Sequence, residues 1–207
     1  AGARERAAER GLGHRERIMR AVAEISCEQG YSELSMPAIT SRAGVSNQTF
    51  YEHFRNKHEA FLACYDRISR RAQGAMLASY QAADGWPAAV HAALQRLLEF
   101  VVAEPEFARM ALFEVLAAGP TARHRAEIRM ESFAAILDPG FWQARKSPPR
   151  VFSALISGGA YGVIQQHILR GRPERLLELG PHITYLALTP FIGGEQAVRV
   201  ALSKPGG

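Results

Sequence analysis

Apolar residues recur along this chain at helical spacing, and no run alternates with period two for long enough to build a strand. Gly and Pro interrupt the pattern at intervals of about 10–25 residues, as expected of helices joined by short loops. The spacing predicts a first helix from about Gly13 to Gln29, ended by Gly30, with Ile18, Val22 and Ile25 on one face. A second helix follows from Met36 to Ala43, a third from Asn47 to about Phe54, and a long fourth from Lys57 to about Ala82. Beyond Asp84-Gly85, breaks containing Pro or Gly bracket helices near 87–103, 105–117, 121–137, 149–170 and 174–191, with a short one over 194–202. Segment 138–149 reads as an irregular surface loop. The expected fold class is all-α.

The helix starts early in the chain carry independent signals. Ser35 is placed to cap the second helix, and Pro37 is tolerated in its first turn. Leu34 and Ile39 have the spacing of a hydrophobic staple. The device recurs at the third helix, where Ser46 is the cap and Val45 and Phe50 form the staple. Asn56 caps the fourth helix, and Glu59 adds negative charge to its first turn. Gly44 can take the positive φ that ends the second helix, and the third starts two residues later. Two short helices joined in this way form a helix-turn-helix, whose second helix enters the DNA major groove. In that helix Phe50 and Phe54 stack on one side. Asn47, Gln48, Thr49 and Tyr51 are left facing outward. Asn and Gln can bond an adenine edge in two places, and Thr can meet a base or a thymine methyl. Tyr51, His53, Arg42 and Lys57 suit phosphate contact.

Composition changes this picture little. Apolar residues make up 47 % and charged residues 22 % of the 207, enough to build a core. The net charge of +5 points to a polyanion. Residues 1–60 nonetheless carry nine Arg and Lys against eight Glu, so the position of each cation matters more than the sum. No window approaches 18 consecutive apolar residues, and the N-terminus lacks an apolar signal core, so a cytoplasmic chain without a membrane span is expected. Cys27 and Cys64 read as free thiols. His53 and His58, five residues apart, would stand about 140° apart on one helix and share no metal. His91, Glu114, His124 and His167 lack catalytic spacing. No enzyme activity, metal or cofactor is expected.

The segment from Ile18 through Phe61 resembles the DNA-binding domain of the TetR family of bacterial transcriptional regulators. The resemblance rests on Glu28-Gln29-Gly30-Tyr31, on Ile39 with Arg42-Ala43-Gly44-Val45-Ser46, and on Thr49-Phe50-Tyr51-Glu52-His53-Phe54 followed by Asn56-Lys57. It implies that Ser46, Asn47, Gln48 and Thr49 face the groove, that Tyr51 and His53 touch the DNA backbone, and that Lys57 anchors the fourth helix. Ser35 and Arg42 complete the DNA-facing set. The chain departs from the family's usual pattern at Gln48, where a small residue is common, and at Ser26, where Phe is common. The expected domains are an N-terminal arm over 1–14, a helix-turn-helix domain over 15–60, and a helical effector-binding and dimerisation domain over 61–207. The N-terminal Arg4, Arg6, Arg10, Arg15 and Arg17 alternate with Glu5, Glu9 and Glu16, and a solvated, partly disordered tail is favoured over contact with a minor groove or phosphates.

The resemblance further implies a ligand-responsive regulator, most simply a repressor of a palindromic operator, released by a largely apolar small molecule. Candidate lining residues for that effector are Phe100, Phe107, Met110, Phe113, Glu114, Phe133, Trp142, Tyr161 and Gln165. A homodimer through the last two long helices is implied as well. Gly158, Gly159 and Gly162 fall inside the first of these. Each costs about 0.5–1 kcal/mol there relative to Ala, so close approach of another helix, or of a ligand, should offset the cost. A C-terminal domain that binds a protein partner is one alternative, and a helical enzyme using His91, Glu114, His124 and His167 as acid–base groups is the other.

Overall fold

A computed structural model describes the backbone of residues 2–144 and 147–203, with side chains over 13–105, 108–144 and 147–203. Among the described residues there are helices and no strands, as the spacing predicts. The elements are α1 (Gly2–Gln29), α2 (Met36–Ala43), α3 (Asn47–His53), α4 (Lys57–Ala82), α5 (Trp86–Ala103) and α6 (Pro105–Arg109). A π-helical turn over Met110–Glu114 leads into α7 (Val115–Ala117), then α8 (Pro120–Ala134), α9 (Asp138–Gln143), α10 (Val151–Leu169), α11 (Leu176–Ile192) and α12 (Gly194–Ala201). Short 3-10 turns stand at Tyr31–Glu33, Ala135–Leu137 and Pro173–Arg175.

Three elements differ from expectation. The α1 helix begins at Gly2 rather than near Gly13, so the backbone of the expected arm is helical. Its Ala, Arg and Glu are strong helix formers, which favours that extension. The arm's side chains, up to residue 12, lie outside the described residues. The loop expected at 138–149 contains α9. Its breakers are compatible with a helix, because Pro139 sits in the first turn, where no N–H is needed. Helix 105–117 is interrupted by the π turn, which adds a residue and changes the face each later side chain takes.

The chain divides into two compact units. The first comprises residues 1–69 and 109–124, and the second 70–108 and 125–207. In the first, Ile18, Val22 and Ile25 of α1 are buried with Leu34, Ile39, Phe50, Phe54 and Phe61. Five of these are large side chains with no measurable exposure. Burial of this kind is worth about 1.5–3 kcal/mol for each large apolar side chain. In the second unit the core is built on Met76, Trp86, Val90, Ile136, Leu137, Phe141, Leu188 and Phe191. Trp86 donates its indole N–H to the Ile136 carbonyl at 2.9 Å, and Phe191 stands edge-on to both Trp86 and Phe141. A Cβ at Gly140 would overlap the Trp86 ring, so the glycine is required by the approach of that indole. His91 is buried here. Its Nε2 lies 3.2 Å from the Ser203 carbonyl and its Nδ1 3.0 Å from the Thr184 hydroxyl. The carbonyl can only accept, so Nε2 carries the proton and Nδ1 accepts from Thr184. Burial pushes this imidazole below its ordinary pKa, partly opposed by the bond to Ser203.

Candidate nucleic-acid interface

The site is built from α2, the turn after it, and α3. Ser35 caps α2 by accepting the Ala38 N–H at 3.4 Å. Gly44 ends the helix at φ 61°, ψ 43°, a left-handed conformation that Gly adopts without steric cost. Ser46 then caps α3, accepting the Thr49 N–H at 3.0 Å, with its oxygen also 3.0 Å from the Thr49 hydroxyl. These two contacts orient the first turn of α3 before any ligand is present.

The two faces of α3 separate as the spacing requires. Phe50 is fully buried and Phe54 nearly so, with their rings 5.7 Å apart. Arg15 of α1 lies over the Phe54 ring at 5.0 Å. On the opposite face Ser46, Asn47 and Gln48 are exposed, Thr49 is half-buried, and Tyr51 is 60 % exposed with its ring edge-on to Phe50. A row of amide and hydroxyl groups thus stands on a rigid apolar base. That arrangement offers hydrogen bonds to base edges while the helix itself is held from behind.

The backbone-contact candidates are more engaged. Arg42 donates to both carboxylate oxygens of Glu28, at 3.0 and 2.9 Å, and reaches Glu24 at 3.4 Å. The hydrogen bond from Arg42 holds the Glu28 carboxyl below its usual range. Lys57 Nζ donates to the Leu34 carbonyl at 2.5 Å and lies over the Tyr31 ring. His53 is half-buried against His14, and its Nε2 is buried without a partner. The sequence placed all three at the DNA backbone. The structure gives Arg42 and Lys57 a second duty, since α1 and the turn after it lie within reach of their long side chains.

That turn is held at three points. The Tyr31 N–H donates to the buried carboxylate of Glu114 at 2.7 Å. The Tyr31 hydroxyl pairs with His58 Nδ1 at 3.0 Å, and Lys57 holds the Leu34 carbonyl at the far end. Burial raises the pKa of the Tyr31 phenol, which keeps it neutral. Arg109 Nε stands 3.6 Å from the other Glu114 oxygen. Glu114 therefore fixes the junction that launches α2, although it lies 83 positions further along the chain than Tyr31. No local sequence signal announces such a pair. Glu114 ends the π turn and belongs to the first unit.

The effector candidates divide between the two units. Met110, Phe113 and Glu114 belong to the first unit, and Phe100, Phe133, Trp142, Tyr161 and Gln165 to the second. The Phe107 side chain lies outside the described residues. Met110 and Phe100 are core residues, while Phe113, Phe133, Tyr161 and Gln165 are half-buried. Trp142 is 79 % exposed, with the Arg150 guanidinium 5.4 Å from its ring. It sits on α9, whose inward face is already supplied by Phe141. No described helix is long and apolar enough to cross a membrane, and no group of three metal-ligating side chains occurs among the described residues.

A helix-turn-helix with a polar, exposed recognition face defines the class as a DNA-binding module. Residues 18–64 match the family model of the bacterial regulatory proteins, tetR family. Solved structures show the same fold over both units. A FadR regulator from Bacillus subtilis in complex with stearoyl-CoA superposes with a TM-score of 0.74 at 15 % identity, covering 84 % of this chain and 98 % of its own. The fatty acid degradation regulator FadR from Bacillus halodurans gives 0.72 at 17 %, covering 84 % and 97 %. A TetR family transcription regulator from Marinobacter aquaeolei VT8 gives 0.69 at 19 %, covering 86 % and 97 %.

Proposed function

We propose that this chain is a cytoplasmic, homodimeric transcriptional repressor. It reads a palindromic operator through α3 and releases it when a small molecule binds in the second unit. The observation that carries the reading is the α3 surface, with Asn47, Gln48 and Tyr51 exposed above buried Phe50 and Phe54.

One such module reads only a few base pairs, and two related by a two-fold axis read both halves of a palindrome. Helices α10 and α11 supply surface for that pairing. Val151, Leu155 and Leu169 on α10 and Leu186 on α11 are each more than half exposed. Gly158, Gly159 and Gly162 have open space where a Cβ would stand, so nothing among the described residues accounts for them. A second copy laid against this bare stretch would bury both the leucines and the helix backbone. Effector control then requires that the small molecule bind one arrangement of the dimer better than the other. The stearoyl-CoA bound by the Bacillus subtilis regulator supports an effector with a long apolar body.

The test is selection of binding sequences from random duplex DNA, followed by gel shift at several salt concentrations. The expected result is a palindromic site whose affinity falls steeply with salt. Tyr51→Ala should weaken binding to all sequences, and Gln48→Ala should change the preferred bases. Absence of any sequence-selective binding would sink the proposal.

A further inference from the structure

Helix α2 is eight residues long and has little apolar anchorage of its own. It buries Ile39, Thr40 and Ala43, of which Ile39 alone is a large apolar side chain. A helix of this length is not stable by itself in water, so the rest of the unit must hold it. At its start, Ser35 caps it, and Lys57 holds the Leu34 carbonyl beside that cap. At its end stands Arg42, the residue before Ala43 and the Gly44 turn that launches α3.

Arg42 is bound more fully than the other arginines paired on the surface. Arg67 with Glu16, Arg71 with Glu104 and Arg96 with Glu99 meet through one hydrogen bond each. The two terminal nitrogens of Arg42 take both oxygens of Glu28, and Nη1 also reaches Glu24. Glu24 and Glu28 are four positions apart on α1, so one guanidinium fastens α2 to a full turn of that helix. We propose that Arg42 is a positioning residue, which pins the end of α2 to α1, sets the direction of α3 and makes no contact with DNA phosphate. This rests on the reading of α3 as the recognition helix.

Charge decides between a clamp and a phosphate contact. One cation between two carboxylates leaves the group net negative, so it repels a phosphate rather than attracting it. To bind DNA, Arg42 would have to leave Glu28. It would exchange one bidentate oxyanion for another and strand two carboxylates beside a polyanion. That exchange gains no charge-assisted bond and adds repulsion. The clamp has a clear use in its place. Only Gly44, Val45 and Ser46 separate α2 from α3, so a fixed end of α2 fixes the angle at which Asn47, Gln48 and Tyr51 are presented.

The test selects a duplex for the full chain and measures its affinity at several salt concentrations. A phosphate ligand contributes about 0.9 to the slope of log K against log salt, and a clamp contributes nothing. Arg42→Gln should bind about 2- to 5-fold more weakly, the range of an exposed ion pair, at the wild-type slope. Glu28→Gln should also leave the slope unchanged. In urea denaturation, Arg42→Gln combined with Glu28→Gln should lose no more stability than Arg42→Gln alone, since either change removes the same pair. A slope shallower by about 1 in Arg42→Gln, or steeper by about 1 in Glu28→Gln, which frees the guanidinium, overturns the proposal. Unchanged affinity in Arg42→Gln, or additive losses in urea, overturns it too. Should Arg42→Gln fail to fold, Arg42→Lys decides, because it keeps the charge and loses the bidentate geometry. Weaker binding of Arg42→Lys at the wild-type slope supports the clamp, and wild-type affinity overturns it. Should the wild-type chain select no DNA, the operator reading fails, and the urea cycle alone decides whether Arg42 and Glu28 act as a pair.

Discussion

Helices α2, α3 and α4 each begin on a side chain that caps them, whereas α5, α10, α11 and α12 begin on residues that make no capping hydrogen bond. In the first unit the start of α4 is closed twice over. Asn56 accepts the Glu59 N–H at 2.9 Å, and Glu59 reaches back to accept the Arg55 N–H at 2.7 Å. The second unit relies on a packed cluster around Trp86 and leaves leucines of α10 and α11 facing outward. The contrast separates two ways of specifying a helix. A cap acts between residues three or four apart and needs no partner. An uncapped apolar helix is specified by whatever covers it.

The sharpest way to break this comparison is to remove the base of α3. Phe50→Ala should cost about 3–5 kcal/mol, the range for truncating a buried Phe. Urea denaturation should show the loss, and DNA binding should vanish with it, although no DNA-facing atom has changed. If caps alone held α3, the loss would be far smaller.

The next effect tests the one long-range contact on which the capped unit depends. Glu114→Ala leaves the Tyr31 N–H without its acceptor, at a cost of about 1–3 kcal/mol. DNA affinity should fall, since the turn before α2 loses one of its three restraints. Glu114→Gln keeps an acceptor oxygen and should restore most of the affinity. Equal loss in both variants would show that the charge, not the hydrogen bond, holds the turn.

These two tests also mark what could be read from the residues alone. The bounds of α2 and α4 and the burial of Phe50 follow from caps and spacing, because those signals are local. Glu114 was legible only as a candidate effector contact. Its hydrogen-bond partner Tyr31 is far away in sequence, and it ends a π turn that no spacing predicts. Pro139 and Gly140 read as loop because their usual role is to break helices. Here the first sits where a proline is harmless, and the second is demanded by a tryptophan from α5. The caps and the two faces of α3 were therefore legible in the residues, and the long-range contact of Glu114 was not.

A weaker probe addresses the second unit. His91 is buried neutral between Thr184 and Ser203, with its pKa lowered from an ordinary value of 6.5. The unfolded chain takes up this proton more readily than the folded one, so stability is complete above about pH 6.5 and declines as pH falls below it. Thermal unfolding followed between pH 7.5 and 5.0 should show that decline, and His91→Gln should flatten it. An unchanged slope in the variant would mean that other groups carry the acid sensitivity.

The smallest expected effect runs in the opposite direction. Ser26 is fully buried in α1, and its hydroxyl has no hydrogen-bond partner. The hydroxyl was desolvated on folding and gained nothing in return, and Ser is also a poorer helix former than Ala. Ser26→Ala removes both costs and leaves the packing of the backbone unchanged. The variant should be more stable by about 1 kcal/mol, read as a higher urea midpoint with the same slope. A loss of stability instead would show that the hydroxyl is bonded in solution, to water or to a neighbouring carbonyl. The first unit would then hold a polar contact inside its core, and its specification would be less local than the caps suggest.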